Sequence, residues 1–171
     1  MNYLRILLLR FLAIFYVSFF SFRCTTVQHI DPSLKPLVYE FIKDAERYGR
    51  HPDIKRLGSL TYDEISVPFY PNVVGLCLPI MLAGVTLPHS STVYIDPIYP
   101  YDSYSFKALV YHELSHCLLD EPHRENDEIM AKTMIRYEEY YALNWEPLLE
   151  ELFTHKKTEK IKFPYMKFGD E

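Results

Sequence analysis

The segment Tyr111-His112-Glu113-Leu114-Ser115-His116 constrains this chain more than any other. It sits in a stretch whose apolar residues, Phe106, Leu109, Val110, Leu114, Cys117 and Leu118, recur at helical spacing. Residues four apart on a helix lie one turn from each other on the same face, so His112 and His116 project together. Two imidazoles so placed can take two corners of a zinc tetrahedron. Glu113, one residue along, falls near the open position of such a site. There it can take a proton from zinc-activated water and pass it to a leaving amine.

A third ligand is expected a short way downstream. The helix has Asp102 or Ser103 as its cap and should stop near Asp120, because Pro122 cannot continue it. The chain can then turn back and present His123. Asp120 and Glu121 are the rival ligands, although Asp120 is only one turn past His116 and would have to reach the metal from the wrong side.

The N-terminus reads as a targeting segment. Arg5 and Arg10 supply positive charge, and Phe11 to Phe22 is uncharged and apolar apart from Ser18 and Ser21. That run is short for a spanning helix, and it fits a signal peptide over residues 1–23. Cys24 directly after it suggests lipid attachment, and an uncleaved N-terminal anchor is the other reading. Both place the remaining chain in the cell envelope or periplasm, tethered to a membrane. Residues 24–30 read as a tether and 31–171 as one domain. Removing residues 1–23, which hold three Arg and no acid, takes the net charge from −5 to −8. An acidic domain without a basic patch is a poor nucleic-acid binder. The Lys-rich stretch from His155 to Lys162 reads as a solvated tail. In an oxidising compartment the remaining Cys77 and Cys117 invite a disulfide, two buried free thiols being the alternative.

The rest of the chain divides by periodicity. Pro32 to Arg50 reads as an amphipathic helix capped by Asp31 or Ser33. Ile54–Leu60, Glu64–Phe69, Val73–Ile80 and Thr92–Ile95 read as strands, with turns at Pro71-Asn72, Ala83-Gly84 and Pro88-His89-Ser90. Val93–Ile95 would be an edge strand open to a peptide. After a polar turn at residues 124–127, a last helical region starts near Ala131, with Pro147 kinking or dividing it. The layout is α+β. With 15 Tyr and 11 Phe, ring packing should fill the core or line a groove. His29, His51 and His155 have no partners by spacing, and His89 reads as a solvent-facing loop residue.

His112-Glu113-Leu114-Ser115-His116-Cys117-Leu118-Leu119, then His123, then Glu128-Ile129-Met130, resembles a group of small bacterial zinc metallopeptidases that often carry lipoprotein signals. Their motif is His-Glu-Leu-Gly-His-Cys followed by a spaced His, a Ser-Ile-Met segment and a C-terminal Glu-Leu-Phe. Glu151-Leu152-Phe153 stands at the last of these places. The group is similar in turn to the metzincins, and the likeness is strong over residues 92–153. It implies a small zincin-like domain with a mixed sheet, an active-site helix and a C-terminal helix. It also implies His112, His116 and His123 as zinc ligands, Glu113 as general base and Met130 as a turn methionine beneath the metal. Ser115 departs from the usual Gly. The interval to the third His is one residue longer than in metzincins, and the turn glycine there is absent, with Leu119 or Asp120 nearby instead. Tyr137, Tyr140 and Tyr141 follow the turn, and Tyr137 is a candidate oxyanion donor, packing being the plainer role. The function expected is cleavage of a peptide or protein substrate. The alternatives are a non-catalytic envelope lipoprotein with a structural zinc, acting as a binding module, and a metal-free core helix.

Overall fold

In the computed structural model, described for residues 28–65, 73–79, 81–82, 85–86, 90–97, 100, 102–124, 128–132 and 138–160, the first helix α1 runs Lys35–Arg47. Pro36 sits in its opening turn, where its fixed φ suits the helix and its missing N–H is not needed. Neither Asp31 nor Ser33 caps it. The Asp31 carboxylate instead accepts from Ser33 N and Oγ, closing a local turn, and Leu34 holds the cap position without a side-chain bond. The helix ends before Arg50 because Gly49 adopts φ 76°. Gly49 N then donates to Glu46 O, and Arg50 N to Ala45 O, the paired closure favoured by a left-handed glycine.

Ile54–Arg56 forms a 3-10 turn rather than the start of a strand, because the Asp53 carboxylate accepts from Lys55 N and bends the chain. Among the described residues a four-stranded mixed sheet follows, ordered β1-β2-β6-β3. Its strands are β1 (His29–Ile30), β2 (Leu57–Tyr62), β3 (Gly75–Leu78) and β6 (Ser91–Ile95), and β4 (Met81–Leu82) pairs with β5 (Val85–Thr86) in a separate hairpin. β1 and β6 both run parallel to β2, with Ser59 opposite His29 and Leu60 opposite Val93. β3 is antiparallel to β6, with Cys77 opposite Val93. Val93–Ile95 is therefore an interior strand, which corrects the edge expected of it. The edge beside it is β3. Glu64 and Ile65 lie outside any strand.

The second helix, α2, runs Tyr104–Leu119. Ser103 Oγ accepts from Phe106 N, and the Glu138 carboxylate accepts from Tyr104 N and Ser105 N, so the orphan amides of its first turn are satisfied. Twelve of its sixteen residues are buried, because it packs against β3 and β6 and also against both other helices. A helix enclosed in this way carries no polar stripe. The third helix, α3, runs Glu138–Thr154 without a break at Pro147. The proline does not divide the helix: Leu148, Leu149, Leu152 and Phe153 bury it beyond that point, while Leu143, whose carbonyl loses its partner, lies on the exposed side. Ala131 and Lys132 are not helical, so α3 starts later than expected.

Rings fill the core, as the composition suggests. Tyr111 meets Phe41 and Trp145 edge-on, each at 5.2 Å between centroids, and donates its hydroxyl to Asp44. Among the described residues, three helices on a four-stranded mixed sheet make the α+β class. Among the described residues no helix is long and apolar enough to cross a membrane. Residues 1–23, Cys24, His89, Tyr137 and the turns at 71–72, 83–84, 88–89 and 125–127 lie outside the described residues.

Candidate metal centre

α2 carries His112 and His116 on one face, and the chain after it brings His123 to the same point. The three Nε2 atoms form a triangle with sides of 3.0, 3.3 and 3.3 Å. Tetrahedral zinc, with zinc–nitrogen bonds of about 2.0–2.1 Å, needs donor nitrogens about 3.3 Å apart. The three rings are the one group among the described residues whose ligand atoms converge in this way.

The other ring nitrogens explain why these three point inward. His112 Nδ1 lies 2.5 Å from the Ile129 carbonyl, and His116 Nδ1 lies 2.5 Å from the Glu121 carbonyl. A carbonyl only accepts, so both Nδ1 atoms carry the proton and donate. In the neutral ring each Nε2 then holds a lone pair. Burial, the largest influence on both, pushes the pKa of His112 down to about 4 and lowers that of His116 too, so both rings are neutral near pH 7. Two such lone pairs facing each other at 3.0 Å repel. A cation between them turns the repulsion into coordination, and the donor set fits a borderline-soft ion such as zinc.

α2 stops for a reason other than Pro122. Asp120 adopts φ 57°, in the left-handed region that a glycine usually fills at such a turn. The Arg56 guanidinium grips both its carboxylate oxygens. The amides of Asp120 and Glu121 fold back to the Ser115 carbonyl. The rival ligands are thereby accounted for: Asp120 is bound to Arg56, and the Glu121 carboxylate is bound to Arg50 at 2.5 Å.

Glu113 is buried against β3. Its carboxylate accepts a hydrogen bond from Cys77 N, and its Oε1 lies 3.9 Å from His112 Nε2. Burial outweighs that hydrogen bond and raises its pKa to about 8. Gly75 permits the close approach of β3, because a Cβ there would stand 2.5 Å from Glu113 Oε1. Cys77 and Cys117 are joined by a disulfide that ties β3 to α2 beside His116.

Met130 is fully buried and its carbonyl accepts from Arg124 N at 2.9 Å. Ile129, its neighbour, supplies the carbonyl that holds His112. Tyr140 is buried at the start of α3, its pKa raised by burial and by a bond to Glu128. The supporting groups were not legible by spacing: the Ile129 and Glu121 carbonyls, Gly75, and the partners of Glu121. His155 is among them, with Nε2 3.1 Å from Glu121 Oε1. Lys160, expected in a solvated tail, instead pairs with Glu151 and Glu128. No protein-family model, curated protein or solved structure matches the chain.

Proposed function

We propose that the protein is a zinc-dependent peptidase, in which His112, His116 and His123 hold the ion and Glu113 is the general base. The observation that carries this reading is the triangle of Nε2 atoms with a buried carboxylate beside it. Zinc bound there supplies Lewis acidity, which activates water near neutral pH and polarises a peptide carbonyl.

The chain's own residues do the rest. Ile129 and Glu121 fix the rings through their carbonyls. Glu113 takes the proton of the attacking water and delivers it to the leaving amine. β3 has one partner strand among the described residues, so its other edge is where an extended peptide would add by main-chain pairing. The resemblance to small bacterial metallopeptidases points the same way. The Cys77–Cys117 disulfide is in keeping with export to an oxidising compartment, membrane attachment there being through residues 1–24. The rival reading, a structural zinc in a binding module, would need a fourth protein ligand, and Asp120 and Glu121 are both engaged elsewhere.

Glu113→Gln in the purified full chain should keep about one zinc per chain and lose cleavage of an unstructured protein substrate by at least about 100-fold. His123→Ala should lose or strongly weaken zinc. Full cleavage by the Glu113 variant, or a folded wild type without zinc after supplementation, would overturn the proposal.

A further inference from the structure

One carboxylate lies at the meeting point of three chain segments behind the metal centre. Glu121 is only 6% exposed. Arg50, just after α1, donates from Nη2 to its Oε1 at 2.5 Å. His155, just after α3, brings Nε2 to 3.1 Å from the same oxygen. Arg124 faces the other oxygen, with Nη1 3.7 Å from Oε2. So large an investment of charge around a buried group is unusual unless the group fixes something, since the desolvation of each ion must be offset by its partners.

What it fixes can be traced through the main chain. The carbonyl of Glu121 itself accepts from His116 Nδ1. Arg124 N donates to Met130 O, and the preceding carbonyl, that of Ile129, accepts from His112 Nδ1. The guanidinium of Arg124 also reaches the Leu152 carbonyl at 3.0 Å, tying this loop to α3. His155 adopts φ 61°, the left-handed conformation that commonly closes a helix, and its N donates to the Glu151 carbonyl. In that conformation its ring reaches Glu121.

The geometry points to Glu121 as a positioning residue for the metal: its carboxylate, clamped by Arg50, Arg124 and His155, holds the two carbonyls that aim His116 and His112. This rests on the three-histidine site but not on peptidase activity. Groups that orient metal-binding imidazoles in this way typically set affinity by about 10–100-fold.

The test is zinc affinity by competition with a chromophoric chelator, together with the visible absorption spectrum of the cobalt-substituted full chain. Glu121→Ala should weaken zinc by about 10–100-fold and shift the cobalt bands. Arg50→Met and His155→Phe change partly exposed side chains and serve where Glu121→Ala does not fold. Each should weaken zinc in the same direction, and Arg50→Lys should recover part of the loss. Folded variants that bind zinc within twofold of wild type, with unchanged cobalt bands, would overturn the assignment even if cleavage falls. Absence of zinc binding by the wild type would overturn it together with the metal centre, whereas a wild type that binds zinc but cleaves nothing would overturn only the proposed function.

Discussion

Burial makes Glu113 a stronger base than a carboxylate in water, and the same burial ties its ionisation to stability. Its pKa in the fold is about 8 against an ordinary 4.5, so the fold favours the protonated form. The stability this contributes is fully present below pH 4.5 and is lost as the pH rises through about 8. Metal-free wild type should therefore lose thermal stability from pH 5 to pH 9 relative to Glu113→Gln, which has no proton to lose. Parallel melting profiles for the two would show that Glu113 ionises in the fold as it does in water. His112 works in the opposite direction, since a ring kept neutral by burial withdraws its support as acid forces it to charge. At this scale the ligands were readable because a helix makes i, i+4 pairs adjacent whatever else the fold does. The groups that aim them were not, since carbonyls carry no sequence signal and Glu121 meets Arg50 and His155 across long stretches of chain. Glu121 was legible only as a rival ligand, and the structure gives it a different task.

Elements were readable where local chemistry fixes them. Ser103 caps α2 as its position suggests, and Asp120 ends it in the place where a glycine would be expected. α1 was overextended because Gly49 closes it, and the break at Pro147 does not occur because burial beyond it holds α3 together. The edge expected at Val93–Ile95 was the main failure. Alternation in β6 shows that Ser91, Val93 and Ile95 face inward, but it cannot show which strands lie to either side. β3 reaches β6 antiparallel, and the disulfide then fastens it to α2. That link spans 40 residues of sequence, for which chain entropy gives about 4 kcal/mol of stabilisation. Cys77→Ser/Cys117→Ala should lower the unfolding free energy read from urea denaturation by that order, and move its midpoint down accordingly, and reductant should do the same to wild type. The double variant should also lose cleavage more than zinc, because β3 carries the amide that holds Glu113. Equal midpoints with and without reductant would count against this role.

Among the described residues, a four-stranded sheet and two helices gather around one buried helix, and the candidate metal centre draws on two segments that follow it. Because His123 and the Ile129 carbonyl come from separate turns, the complete site exists only in the folded chain, and zinc should stabilise the fold by mass action. With free zinc near 1,000 times its dissociation constant the gain is about 4 kcal/mol, on the order of 10 °C in melting temperature for a chain of this size. Chelator should remove that increment from wild type and leave His123→Ala unchanged. A melting temperature indifferent to chelator would argue for a fold that needs no ion. The α+β class was legible from the succession of elements, but the enclosure of α2 on all sides was not. It depends on two neighbours, α1 and α3, whose packing faces meet only in three dimensions.

The three ligands differ in their access to water: His112 is buried, His116 partly so and His123 exposed. His112 and His116 are pinned to one rigid helix, whereas His123 stands on a turn at the rim. Exchange of the ion should then be a hinged event, in which His123 swings aside while the helical pair waits in place. A metal held there would be exchanged by a folded protein, through the one ligand that stands in water.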